Sequence, residues 1–132
     1  MKSVVAVLIG GVVGTSLRLA VDVVLPHGGV AFPVGTFLIN LFGSFALAVL
    51  VARVWLSAVE WLRAGLGPGL LGSFTTFSAL AVSAVELSSA GAGVEAVIYV
   101  VASLVGGITA AVLGLRLGSP SATRPPVIGI DE

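Results

Sequence analysis

Cysteine is absent from the 132 residues, and histidine occurs once, at His27. Disulfides, thiolate metal sites and cysteine nucleophiles are therefore excluded, and a histidine-based metal site within one chain lacks ligands. Charge is nearly as scarce, at 9% of residues, where a soluble domain carries about one quarter. A chain so poor in charge cannot cover a water-facing surface. The net charge is zero, without a basic run that would suit nucleic acid. No nucleophile–base pair is visible, which argues against an enzyme. No acidic residue lies in the middle of an apolar run, and proton-coupled transporters usually need one there.

What remains is apolar: 58% of residues are hydrophobic. The length allows one compact unit, and the composition is that of an all-α integral membrane protein. A spanning helix needs about 20 mostly apolar residues, and four stretches qualify. The first runs from about Ser3 to Leu25, interrupted by Arg18 and Asp22. Lys2 followed by Val4–Ile9 has the look of a secretory leader. The run nevertheless continues past Gly14 to Leu25 without an A-x-A site, so it reads as a retained span. Pro26, His27, Gly28 and Gly29 then make a turn. The second span runs from about Pro33 to Val54, with Pro33 suited to a helix start. Trp55 and Trp61 flank a polar link containing Glu60 and Arg63, as tryptophans do at membrane–water interfaces. The third and fourth spans run from about Leu62 to Leu87 and from Val94 to Leu117. Residues 1–118 thus form the membrane unit, and residues 119–132, with Pro120, Pro125 and Pro126, are expected to be a disordered tail.

The third span does not read as a uniform helix. Gly65, Gly67, Pro68, Gly69 and Gly72 crowd its first half, and Ser73, Thr75, Thr76 and Ser78 follow. Broken backbone at membrane depth survives only when buried in protein or lining a wet cavity. A loop between two shorter helices is the blander alternative, but apolar sequence on both sides favours an intramembrane break. Elsewhere, Gly10 and Gly14 make a small-xxx-small face for close helix packing.

Four spans put both termini on one side, together with the link between the second and third. Lys2, Arg53, Arg63, Arg116 and Arg124 all fall on that side, while the opposite links are flanked by Asp22, Glu86 and Glu95. The positive-inside rule places both termini in the cytoplasm, in one fixed orientation. Arg18 is the exception, in the outer half of the first span.

Thr36, Asn40 and Ser44 recur every four residues and form a polar stripe on the second helix. Tyr99 and Ser103 do the same on the fourth, where Gly107 continues the line without a hydroxyl. Hydroxyls in such positions commonly bond a neighbouring helix. The Asn40 amide offers both donor and acceptor and suits a partner interface or a permeation path. Arg18 either snorkels to the outer surface or concentrates anions at a pore mouth. Phe77 either packs against lipid or core, or turns the electropositive edge of its ring toward an anion.

Three stretches together resemble the Fluc (CrcB) fluoride channel family, over nearly all of the first 117 residues. They are Gly10-Gly11-Val12-Val13-Gly14-Thr15-Ser16-Leu17-Arg18, Gly35-Thr36-Phe37-Leu38-Ile39-Asn40-Leu41-Phe42-Gly43 and Gly72-Ser73-Phe74-Thr75-Thr76-Phe77-Ser78. The resemblance implies an antiparallel dimer in the cell membrane, with separate pores that let fluoride leave the cytoplasm passively. It further implies a structural sodium ion at the dimer centre, held by backbone carbonyls at positions matching Gly72 and Thr75. The family's pore asparagine matches Asn40, its polar track Thr36, Tyr99 and Ser103, its basic vestibule residue Arg18, and one of its two pore phenylalanines Phe77.

Two departures stand out. Leu80 occupies the place of the second phenylalanine, and Gly107 that of a track serine. Together with the one-sided basic residues, they suggest one half of a heterodimer whose oppositely oriented partner has the opposite bias. Two alternatives remain at this stage: a non-conducting structural subunit, and a small multidrug or guanidinium exporter. The exporter would need a glutamate in the first span, which this chain lacks.

Overall fold

The computed structural model describes residues 1–25, 31–55 and 57–119. The Pro26–Gly29 turn and all of the expected tail beyond Ser119 lie outside the described residues. The chain is all-helical there, with helices α1 (Lys2–Val24), α2 (Val34–Arg53), α3 (Glu60–Ala64), a π-helical segment (Gly65–Leu71), α4 (Gly72–Phe74), α5 (Phe77–Ser89) and α6 (Gly93–Gly118). Four stretches are long and apolar enough to cross a membrane: α1, α2, α6 and the composite third span Glu60–Ser89. Between 11% and 28% of each is buried within the chain. Most apolar side chains therefore face outward, where lipid or another subunit must cover them.

Two close helix contacts organise the bundle. α1 lies against the first half of the third span, backbone to backbone. A Cβ at Gly10 would collide with the Gly65 carbonyl, and one at Gly14 with the Leu70 carbonyl. This is the glycine face expected from the sequence. The other contact joins α2 to α6, where Gly114 packs beside Ala48 and Phe45, and Gly118 beside Ala52 and Val49. Small residues again replace bulk with close approach. At one end of this pair the Arg53 guanidinium donates to the Leu117 carbonyl at 2.8 Å, satisfying an oxygen that the end of α6 leaves without a helical donor.

The third span is broken, but not at its glycines. There the helix continues in a wider form, with the Gly72 N–H donating to the Gly67 carbonyl five residues back. Pro68 sits inside this turn; it has no N–H to give, and a π-turn relieves the clash that it would cause in a tighter helix. The actual break comes at Thr75 (φ −78°, ψ 154°) and Thr76 (φ −151°, ψ 124°), both extended. α5 then turns sharply into α6. Gly91 adopts φ +82°, its N–H donates to the Ser88 carbonyl at 3.1 Å, and the Ala92 N–H reaches the Leu87 carbonyl at 3.0 Å. This pair of bonds closes a helix end through a left-handed residue, where glycine is least strained.

Candidate functional site

An extended pair of residues inside a membrane span leaves backbone groups to satisfy. Asn40 on α2 satisfies Thr76 on both sides. Its Nδ2 donates to the Thr76 carbonyl at 2.9 Å, and its Oδ1 accepts the Thr76 N–H at 2.8 Å. The Thr76 hydroxyl caps α5 by accepting the Ala79 N–H at 3.2 Å and shares a 3.0 Å hydrogen bond with the Ser78 hydroxyl. Thr75 Oγ1 donates back to the Leu71 carbonyl at 2.8 Å. Gly43 of α2 lies flush against the Thr75 methyl, with no room for a Cβ.

These bonds have a consequence for two carbonyls. In an unbroken helix the Gly72 oxygen would accept from the N–H of Thr76, and the Thr75 oxygen from that of Ala79. Both donors are diverted, to Asn40 Oδ1 and to Thr76 Oγ1. Gly72 and Thr75 are thus left with oxygens stripped of their helical partners.

Beside the break lies an open groove of about 500 Å³. Asn40, Gly72, Thr75, Phe77 and Ser103 all line it, together with Leu80 and Gly107. Its lining holds no charged side chain. Phe77 is 74% exposed, so its ring projects from the subunit. One helical turn beyond Asn40 and Ser103, the hydroxyls of Thr36 and Tyr99 are buried within the chain, Tyr99 completely. Thr36 and Ser83 are the hydroxyls that face the Tyr99 phenol. Neither the Tyr99 nor the Ser103 oxygen closes a hydrogen bond of good geometry among the described residues. Phe32 presses edge-on against Tyr99, with ring centroids 5.3 Å apart and planes at 88°.

A family profile described as "CrcB-like protein, Camphor Resistance (CrcB)" matches residues 5–115. The chain belongs to the CrcB-like family. Among its relatives, the "Fluoride-specific ion channel FluC 2" of Halalkalibacterium halodurans is 44% identical, covering 94% of this chain and 91% of its own. The "Fluoride-specific ion channel FluC" of Chloroflexus aurantiacus is 36% identical over 89% of this chain and 96% of its own. The "Fluoride-specific ion channel FluC 2" of Brucella abortus is 42% identical over 84% and 90%. With its four apolar spans, this CrcB-like chain is a multi-pass membrane protein.

The structure brings most of the residues singled out in the sequence to one place. Asn40, Phe77, Ser103, Gly72 and Thr75 share the groove, while Thr36 and Tyr99 lie one helical turn beyond it, buried within the chain and not part of its lining. Arg18 does not line this groove; it lies partly exposed on α1. Ser83 joins these residues without being a candidate from the sequence. Its signal was present, since Thr76, Leu80, Ser83 and Leu87 recur at helical spacing and all four are buried, but an isolated serine in an apolar run draws no attention.

Proposed function

We propose that this CrcB-like chain is a subunit of a fluoride-specific channel, letting fluoride leave the cytoplasm passively and so limiting its toxicity. The observation that carries the reading is the pair of buried hydroxyls at Tyr99 and Ser103, neither of which closes a hydrogen bond of good geometry among the described residues. Buried polar groups normally find partners. Donors held without a well-aligned acceptor are suited to an acceptor that comes and goes. Asn40 contributes as well, since its amide nitrogen has a second hydrogen after serving Thr76. Fluoride is small and strongly hydrated, so donors must replace its water. Each hydrogen bond to a charged group contributes about 1.5–3 kcal/mol. The Phe77 ring edge adds a weak positive face, and Arg18 raises the local anion concentration at the mouth. Larger chloride fits such a file poorly. The names of the relatives favour this reading over an exporter. The test is fluoride efflux from liposomes holding the purified chain, followed with an electrode and with chloride as control. Fluoride release without chloride release is expected; silence both alone and with an oppositely biased paralogue overturns the reading.

The groove is open and its aromatic exposed, so a second, antiparallel subunit is proposed to complete the path. The Gly72 and Thr75 carbonyls, deprived of helical donors, fit a hard monovalent cation that takes oxygen ligands. We assign them to a structural sodium ion, whose remaining ligands come from the other subunit. The one-sided distribution of basic residues supports cytoplasmic termini. The one-sided charge and Leu80 favour a paralogue over a second copy, and the numbered names of the relatives, "FluC 1" in Brucella melitensis and "FluC 2" in Brucella abortus, support paired genes. Leu80 also keeps a second reading in view. Buried at 7% exposure and packed in one cluster with Leu87, Ala96 and Tyr99, it is built into the core of its own subunit. A structural subunit that shapes the pore of its partner without conducting would be built this way. In that case mutating Asn40 or Phe77 alters assembly and not conduction.

A further inference from the structure

Ser83 sits one turn beyond Leu80 on α5 and one turn before Leu87. Leu80 and Leu87 share a single buried cluster with Tyr99 of α6. That register turns the Ser83 side chain toward α6 and sets its hydroxyl beside the Tyr99 phenol, with Thr36 beside it from α2, without a closed hydrogen bond of good geometry among the described residues. The node is closed: Thr36 is 2%, Tyr99 0% and Ser83 7% exposed. A serine in this apolar setting costs free energy unless its hydroxyl has a task.

We infer that Ser83 is a positioning residue of the ion path, acting through the Tyr99 hydroxyl. The inference rests on the channel reading above. A phenol oxygen can accept one hydrogen bond while donating another. If Ser83 supplies the bond that Tyr99 accepts, the phenol hydrogen is turned away from Ser83, and an ion reaching it competes only with the Thr36 hydroxyl. Donors in such a chain polarise one another, so Tyr99 becomes a stronger donor than it would be alone. An aliphatic side chain at position 83 would fill the same space and leave the phenol free to rotate.

The experiment compares fluoride flux in liposomes for the parent chain, with its partner if it needs one, and for Ser83→Ala, Ser83→Cys, Ser83→Thr and Tyr99→Phe. Ser83→Cys is a clean isostere here, since the chain has no other cysteine. Detergent elution and thermal unfolding verify that each variant assembles. Loss of one aligned bond predicts about a tenfold fall in flux for Ser83→Ala and Ser83→Cys, with Ser83→Thr close to the parent. The decisive arm is Ser83→Ala on a Tyr99→Phe background. A residue acting through the Tyr99 hydroxyl causes no further loss there, whereas a merely structural one multiplies the defect. Parent-like flux in Ser83→Ala and Ser83→Cys, or a multiplied defect in the double variant, overturns the inference while leaving the channel reading standing. A parent that is silent in every combination overturns the channel reading and this inference with it.

Discussion

The side-chain amide of Asn40 does for residue Thr76 what a neighbouring strand does in a sheet: it takes the N–H at 2.8 Å and gives to the carbonyl at 2.9 Å. One side chain thereby makes an extended residue tolerable at membrane depth and diverts the donor that Gly72 would have in an unbroken helix; the Thr76 hydroxyl does the same to the donor of Thr75.

Asn40→Asp keeps the acceptor but sets a carboxylate against the Thr76 carbonyl in place of a donor. We expect fluoride flux to fall more than tenfold and the unfolding midpoint in detergent to drop, by the equivalent of about 1–3 kcal/mol for a buried partner left unsatisfied. Unchanged flux and unchanged stability would remove Asn40 from both roles.

Phe77 separates those two effects. It is 74% exposed, so within the subunit it packs against little. Phe77→Ile should leave subunit stability within about 0.5 kcal/mol and still reduce flux strongly. Paired flux and melting measurements on one preparation check this.

The contact between α1 and the third span has no slack. Gly14→Ala drives a methyl into the Leu70 carbonyl, and overpacking of this kind costs about 1–3 kcal/mol. Gly93→Ala is the control, because nothing lies within 4 Å of the added carbon. Denaturation in mild detergent should show the first destabilised and the second unchanged or slightly stabilised.

The proposed sodium site predicts a cation-specific stability. Replacing potassium by sodium at constant ionic strength should raise the melting temperature of the assembled channel, by the equivalent of about 2.7 kcal/mol at a hundred times the dissociation constant. Equal curves in the two salts would remove Gly72 and Thr75 from a cation site.

The spans were legible because long apolar runs leave little choice. The sequence places the second from Pro33 to Val54 and the fourth from Val94 to Leu117, and the helices run Val34–Arg53 and Gly93–Gly118. The broken third span is legible too, from its glycines and proline together with the Ser and Thr residues that follow, but that pattern does not say which of them interrupts the helix. The glycines are instead where α1 presses in, and close packing holds a π-turn that local propensity disfavours. The extension falls on two β-branched threonines, stabilised by Asn40 from 36 residues away. Nothing local announces such a bond. The same holds for Ser83, whose surroundings come from three different helices.

The tight turn at Gly91 bears on how the chain sits in its membrane. α5 has 13 residues, about 20 Å of helix, against a hydrocarbon layer of about 30 Å. Set off from α4 by the two extended threonines, α5 is too short to cross by itself and spans only together with the segment before it. Its companion is α6, joined to it by the tight turn around Gly91 and packed against it through Leu80, Leu87, Ala96 and Tyr99, so the two form one helical hairpin whose position in the membrane is set by the longer helix.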